Sequence, residues 1–226
     1  MNFDRLAAIY PAMEWISAGN KLQRCRVAFL DQIQPPRRIL LAGEGHGRFL
    51  PTCARAFPEA HIIVVDCSER MLAIARKRFT DQNIEFVHAD LLLWSQPPGG
   101  FDLIVTHFLL DCFAAHELEV LVARLGRLAS PDACWLVADF RIPDSGLAAW
   151  RSRMILAILY RFFRTTCGIS AKSLASPDSA LAKAGFSLHR QETSDWGLLK
   201  CEWWNRKSTA KCREETPSSS DRFAAG

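Results

Sequence analysis

The chain has 226 residues, 49% of them hydrophobic and 23% charged, with a formal net charge of +4. This is enough apolar material for one α/β domain with a substantial core. The mild positive charge comes with no Lys/Arg block long enough to mark a nucleic-acid surface, and no apolar run approaches the roughly 18 residues of a membrane span.

Met1-Asn2-Phe3-Asp4-Arg5 has no long apolar core behind it, so no secretory leader is expected. The 8 cysteines are scattered and none forms a C-x-x-C pair, which speaks against a zinc site; no metal is expected. Several lie in apolar patterns and read as small buried hydrophobes in a reducing compartment, so a cytoplasmic location is expected.

Residues 13–33 read as a helix with Trp15, Ile16, Leu22, Val27, Leu30 and Ile33 on its apolar side, ended by Pro35-Pro36. A first strand is predicted at 38–42, a helix at 47–57, a second strand at 61–65, and a helix at 69–79 capped by Ser68. A third strand follows at 84–88. Pro97-Pro98-Gly99-Gly100 marks a turn before a fourth strand at 102–106. A helix at 115–129 and a fifth strand at 133–140 complete the alternation, which predicts a parallel, doubly wound sheet.

Beyond Phe140 the pattern changes. Residues 145–164 read as one long helix with Trp150, Met154, Ile155, Ile158, Leu159 and Phe162 as its apolar face, interrupted by Arg151, Arg153, Arg161 and Arg164. A short helix at 177–184 ends at Gly185. Strands at 186–192 and 197–204 follow, joined by a turn. The polar segment 207–226, with Pro217-Ser218-Ser219-Ser220, is expected to be disordered. No internal repeat is visible.

The residues richest in chemistry lie between the first two strands. Ile39-Leu40-Leu41-Ala42 feeds Gly43-Glu44-Gly45-His46-Gly47, and about 20 residues on, Ile62-Ile63-Val64-Val65 ends in Asp66. Glycines let the backbone approach a ligand closely, and the acid is placed to hold a ribose diol. A dinucleotide fingerprint is G-x-G-x-x-G. Here the spacing is G-x-G-x-G, and Arg48 stands where the third dinucleotide glycine belongs. That favours a nucleoside without a pyrophosphate.

In these segments the chain resembles the class I S-adenosylmethionine-dependent methyltransferases. Gly43, Gly45 and Gly47 match that family's first motif. Asp66, with the Ser68 and Met71-Leu72 that follow, matches the second; Asp90 in Phe86-Val87-His88-Ala89-Asp90-Leu91 matches the third; Phe101 to His107 looks like the fourth. The resemblance implies a Rossmann-like, seven-stranded, mostly parallel sheet with helices on both faces, a closing β-hairpin and an N-terminal helical lid. It implies one domain over 1–206, with the lid at 1–34 and a substrate-cover insertion at 141–176. S-adenosylmethionine is the implied cofactor.

One departure stands out. The family usually has an acid two residues before the first glycine, where this chain has Leu41. Glu44 is the nearby acid expected to take over the cofactor's ammonium contact. The resemblance further places Gly43 to Gly47 under the ribose and methionine, Asp66 on both ribose hydroxyls, Cys67 and Met71 against the adenine, and Asp90 on its amino group beside the Leu91 amide.

His107 ends the fourth strand, facing the crevice where open sheets bind ligands. It is the candidate general base, with packing against the cofactor as the alternative. Asp111 would orient it or cap the next helix. Phe3-Asp4-Arg5-Leu6-Ala7-Ala8-Ile9-Tyr10 is similar to the opening of methyltransferases acting on quinone precursors, which makes Tyr10 a candidate pocket residue.

The expected function is methyl transfer to a small apolar or aromatic acceptor, at oxygen or carbon, by in-line displacement. The arginines of 145–164 leave open an acidic group on the acceptor or a peripheral membrane contact. Two alternatives stand beside it. A nucleic-acid methyltransferase is disfavoured because Thr106-His107-Phe108-Leu109 replaces an N-P-P-Y-type tetrad. A repurposed, non-catalytic cofactor binder is left open by Leu41.

Overall fold

The computed structural model describes residues 20–79, 81–98, 100–168, 171 and 174–207. Tyr10, Trp15, most of the expected lid and the expected tail from 208 onward lie outside the described residues.

Strand β1 (Arg38–Ala42) and strand β3 (Ile84–His88) have the predicted bounds, and β2 (His61–Asp66) and β4 (Phe101–His107) extend past theirs by one or two residues. With β5 (Ala129–Phe140), β6 (Phe186–Ser194) and β7 (Leu199–Arg206) they form one sheet of order β3-β2-β1-β4-β5-β7-β6. The first five strands run parallel, and β7 is antiparallel to both β5 and β6. This is the seven-stranded α/β sheet with a closing hairpin that the resemblance implied.

The central strands are continuous apolar runs because both faces are covered. On one face Ile39, Leu41, Ile62, Val64, Leu103 and Val105 pack with residues of α1 (Asn20–Val27), α2 (Leu50–Ala56) and α3 (Glu69–Arg78). On the other, Leu40, Ile63, Ile104, Trp135 and Val137 pack with α4 (Ala115–Leu128) and α6 (Asp178–Lys183). Ser68 caps α3 as expected, its hydroxyl accepting from the Met71 amide at 3.2 Å.

Four elements depart from the sequence reading. The helix predicted to reach Ile33 stops at Val27, and a 3-10 turn at Leu30–Gln32 then carries the chain toward Pro35-Pro36. The tighter turn brings both Leu30 and Ile33 into the core. Helix α2 starts at Leu50, not Gly47, because Gly47 sits at φ +78, outside helical geometry. Strand β5 begins at Ala129, four residues early. Its register against β4 slips between Phe101 and Leu103, where Ser130 Oγ donates to Asp102 at 3.0 Å.

The fourth departure is the orientation of α5 (Gly146–Cys167). Of the six residues read as its apolar face, Trp150, Met154 and Ile158 are exposed. The helix seats itself on Ala149, Ser152 and Leu156 with Ile155 and Leu159. Small residues at 149 and 152 allow close approach to the core, which the bulkier stripe does not.

Candidate functional site

The carboxyl tips of β1, β2 and β4 open on one cavity, as expected at the switch point of a doubly wound sheet. Gly43, Glu44 and Gly45 form its floor. Asp66, Cys67 and Met71 line one side with Asp90 and Leu91, and His107 and Phe108 line the other. Sequence-predicted residues from four separate segments therefore meet in one place.

The glycine turn is left-handed at Gly43 (φ +68) and Gly45 (φ +65), a conformation that L side chains adopt only at a cost. It is tied to β2 at two points. The Gly43 amide donates to the Val65 carbonyl at 2.8 Å, and the Gly45 amide donates to Asp66 Oδ2 at 2.9 Å. Asp66 Oδ1 accepts from the Ser68 amide at 2.9 Å. The carboxylate is thus fixed at the cavity edge by the backbone on both sides. Asp90 Oδ1 accepts from the Leu92 amide at 2.9 Å, which fixes the turn after β3.

Three expectations are corrected by the geometry. Gly47 does not line the cavity. It faces α3, where a Cβ would meet Ala75 Cβ at 2.9 Å, so it is a packing glycine. Glu44 lines the cavity, but its Oε1 accepts from the Phe49 and Leu50 amides at 2.7 and 3.0 Å. It caps α2, satisfying amides left open at that helix start. Burial pushes its carboxyl up to about 7, against the opposing pull of Arg26 and the two amides.

The third correction concerns Asp111, which does not orient His107. It lies in the 3-10 turn Leu110–Cys112 and bonds the Asp139 carboxyl and the Cys112 thiol. Both carboxyls are buried. Desolvation raises Asp111 to about 6 and Asp139 well above the usual carboxylate range, so the pair holds a proton between them. His107 is on the face with Val105, while Asp139 shares the opposite face with Val137. The Phe49 ring meets the His107 ring edge-on at 4.6 Å. Burial, and then the Arg26 charge, hold His107 well below its ordinary range, which keeps the imidazole neutral. Its Nδ1 has no hydrogen-bond partner among the described residues.

Arg26 is the functional candidate that sequence reasoning missed. It is only 7% exposed, lies on α1, lines the cavity, and carries its guanidinium over the Phe108 ring at 5.0 Å. A signal was present: Arg26 falls four residues from both Leu22 and Leu30, inside the apolar stripe of its helix. A charge there is out of place unless something holds it.

Residues 39–132, from β1 into β5, match the family model described as a methyltransferase domain. That segment carries a methyltransferase domain.

An uncharacterised methyltransferase of Mycobacterium tuberculosis is 30% identical over 128 residues, covering 54% of this chain and 61% of that one. The demethylmenaquinone methyltransferase of Thermus thermophilus is 30% identical over 148 residues, covering 64% and 66%. The match therefore spans less than two thirds of either relative's length. Among solved structures, the N-methyltransferase NodS of Bradyrhizobium japonicum, in complex with S-adenosyl-L-homocysteine, superposes with a TM-score of 0.58 at 16% identity, covering 82% of this chain and 84% of that one. That likeness concerns the fold. The matched segment includes Gly43 to Gly47, Asp66 and Asp90, which stand at or beside the strand tips described above.

Proposed function

We propose that this chain binds S-adenosylmethionine in the cavity at the tips of β1, β2 and β4 and transfers its methyl group to a small apolar or aromatic acceptor. The observation that carries the reading is the fixed Asp66 carboxylate sharing one cavity with a left-handed glycine turn and a buried arginine. A ribose diol, a close backbone approach and an amino-acid carboxylate are the three things such a set recognises. The S-adenosyl-L-homocysteine held in the NodS complex and the demethylmenaquinone named for the Thermus relative support the same choice.

The residues fit the group. Gly43 and Gly45 leave their Cα faces open where side chains would intrude. The Asp66 carboxylate is placed at the cavity edge for the two ribose hydroxyls. Cys67, Met71 and Leu91 offer apolar walls for an adenine, and Asp90 stands at the rim for its amino group. Arg26 is assigned to the methionine carboxylate.

When bound, the sulfonium supplies an electrophilic methyl group. The chain contributes position and the exclusion of water. Neutral His107, packed on Phe49, is assigned to shaping the wall and offering one hydrogen bond from Nδ1. As a base it would have to become an imidazolium beside Arg26 in a buried site, which is unfavourable. The segment 141–176 is assigned to covering the acceptor. Tyr160 Oη donates to the Asp111 carbonyl at 3.4 Å, and Tyr160, Phe162 and Phe163 cluster with the cavity residues Met71 and Cys112.

The test combines calorimetry with labelled transfer. S-adenosylmethionine should bind, and label should reach an apolar acceptor in a panel of phenols and naphthoquinols. Arg26→Met should weaken S-adenosylmethionine binding by about tenfold or more, the worth of a charge-assisted contact. It should leave methylthioadenosine, which lacks the amino-acid carboxylate, unaffected. Equal losses for both compounds would overturn the Arg26 assignment, and no binding of either would overturn the function.

A further inference from the structure

Helix α5 carries a second surface, facing away from the cavity. Leu147, Trp150, Met154 and Ile158 recur every three or four residues and are 79%, 64%, 49% and 65% exposed. On a helix this spacing makes one stripe. It lies opposite the seated side formed by Ala149, Ser152 and Leu156.

The stripe is bordered by charge of one sign. The helix contains Arg151, Arg153, Arg161 and Arg164 and no acidic residue, and 153, 161 and 164 are exposed. Beside it stands the tip of the β6–β7 hairpin. There Asp195, Trp196 and Gly197 are all left-handed, at φ 51, 59 and 80, and Trp196 is 70% exposed.

The tip is fastened to the helix. Asp195, its side chain only 5% exposed, takes Arg151 at 3.2 Å and Lys21 at 2.6 Å, and the Arg151 guanidinium lies 5.9 Å from the Trp196 ring. Two exposed tryptophans, three aliphatic side chains and a set of cations thus form a single surface. Of the acids nearby, Asp195 is turned inward to hold the hairpin, and Asp144, ahead of the helix, pairs with Arg141 at 3.3 Å.

We propose that this surface docks on an anionic lipid bilayer, with α5 lying in the headgroup plane. An apolar stripe edged by arginine and flanked by tryptophan is the chemistry that partitions into such an interface. Charge complementarity selects the occupant: an acid-free cationic helix is matched by an anionic surface and opposed by a second copy of itself. No helix among the described residues is long and apolar enough to cross a membrane, so the contact is peripheral. The proposal itself does not depend on methyl transfer.

Cosedimentation of the full chain, without cofactor, on vesicles of phosphatidylglycerol and phosphatidylcholine in equal parts tests it. The protein should pellet with these vesicles and be released at about 1 M salt, where the screening length falls to roughly 3 Å. Pure phosphatidylcholine should bind at least tenfold less. Arg153→Glu with Arg161→Glu, and separately Ile158→Asp, should each lower binding at least tenfold while leaving thermal unfolding unchanged, because all three positions are exposed. Equal binding to both vesicle types, binding unaffected by the variants, or no binding would overturn the proposal. So would light scattering that shows a dimer dispersed by Ile158→Asp in protein that ignores vesicles, since the occupant would then be a second copy.

Discussion

Asp66 offers the sharpest test of the site, because it has two duties that can be separated. Its oxygens hold the Gly45 and Ser68 amides at 2.9 Å each, and the proposed function gives it two ribose hydroxyls as well. Hydrogen bonds to a charged group are worth about 1.5–3 kcal/mol each. Asp66→Ala should therefore cost about 3 kcal/mol of stability in the cofactor-free protein, through the glycine turn. It should also weaken S-adenosylmethionine binding by at least tenfold, because two charged contacts to the sugar disappear. Asp66→Asn is the control for shape. Its amide has one acceptor and one donor end, so one of the two loop amides must lose its partner whichever way the group is turned. It should lie between wild type and Asp66→Ala in both readouts. Urea denaturation without cofactor reads the first duty and calorimetry reads the second. If Asp66→Ala loses stability while the affinity of the folded fraction is unchanged, Asp66 is a loop clamp only, and the assignment of the sugar to it is wrong.

Two further predictions concern the glycines and the buried acids. Gly47→Ala should destabilise more than Gly45→Ala, although only Gly45 lines the cavity: both positions are left-handed, but a Cβ at 47 meets Ala75 Cβ at 2.9 Å and its Cα at 3.1 Å, whereas at 45 nothing lies within 4 Å. Left-handed strain alone costs about 1–2 kcal/mol, roughly 2–8 °C in melting temperature for a chain of this size, and equal melting points for the two variants would contradict the packing role of Gly47. The Asp111 carboxyl, raised to about 6 from 3.8, binds a proton more tightly in the fold than in the unfolded chain, so stability falls as pH rises through that window. Asp111→Asn, which stays neutral, should gain about 2–3 kcal/mol over wild type between pH 4 and pH 7 in urea titrations, and parallel pH profiles would show that the Asp111–Asp139 pair does not share a proton.

Much of the architecture was legible because it is local. Ile39 to Ala42 and Ile84 to His88 are apolar-rich runs of strand length between turn-formers, and their bounds needed no tertiary information. Ser68 could be read as a cap because a hydroxyl before a helical pattern satisfies an amide within the same turn. The glycine turn and Asp66 were legible for a similar reason: the backbone conformation demanded at 43 and 45 is written in residue type. What escaped were relations across the fold. Arg26 sits within the apolar stripe of its helix, but only the approach of β4 makes it a buried wall of the cavity. Asp111 and Asp139 lie on different elements, and no local pattern announces that their carboxyls meet. Glu44 was seen as a cofactor contact because its turn back to the Phe49 and Leu50 amides depends on where α2 starts.

The sequence alone determined the alternation of strands and helices, the cofactor-type turn and the acid that answers it, since periodicity and backbone preference act over a few neighbouring residues. The tertiary structure decided which side of α5 is buried, which carboxyls share a proton and which cation enters the cavity. Those outcomes depend on competition for burial between segments far apart in the chain. A helix with apolar residues on two sides can seat only one of them, and the choice fell to the side whose alanine and serine let the backbones come close.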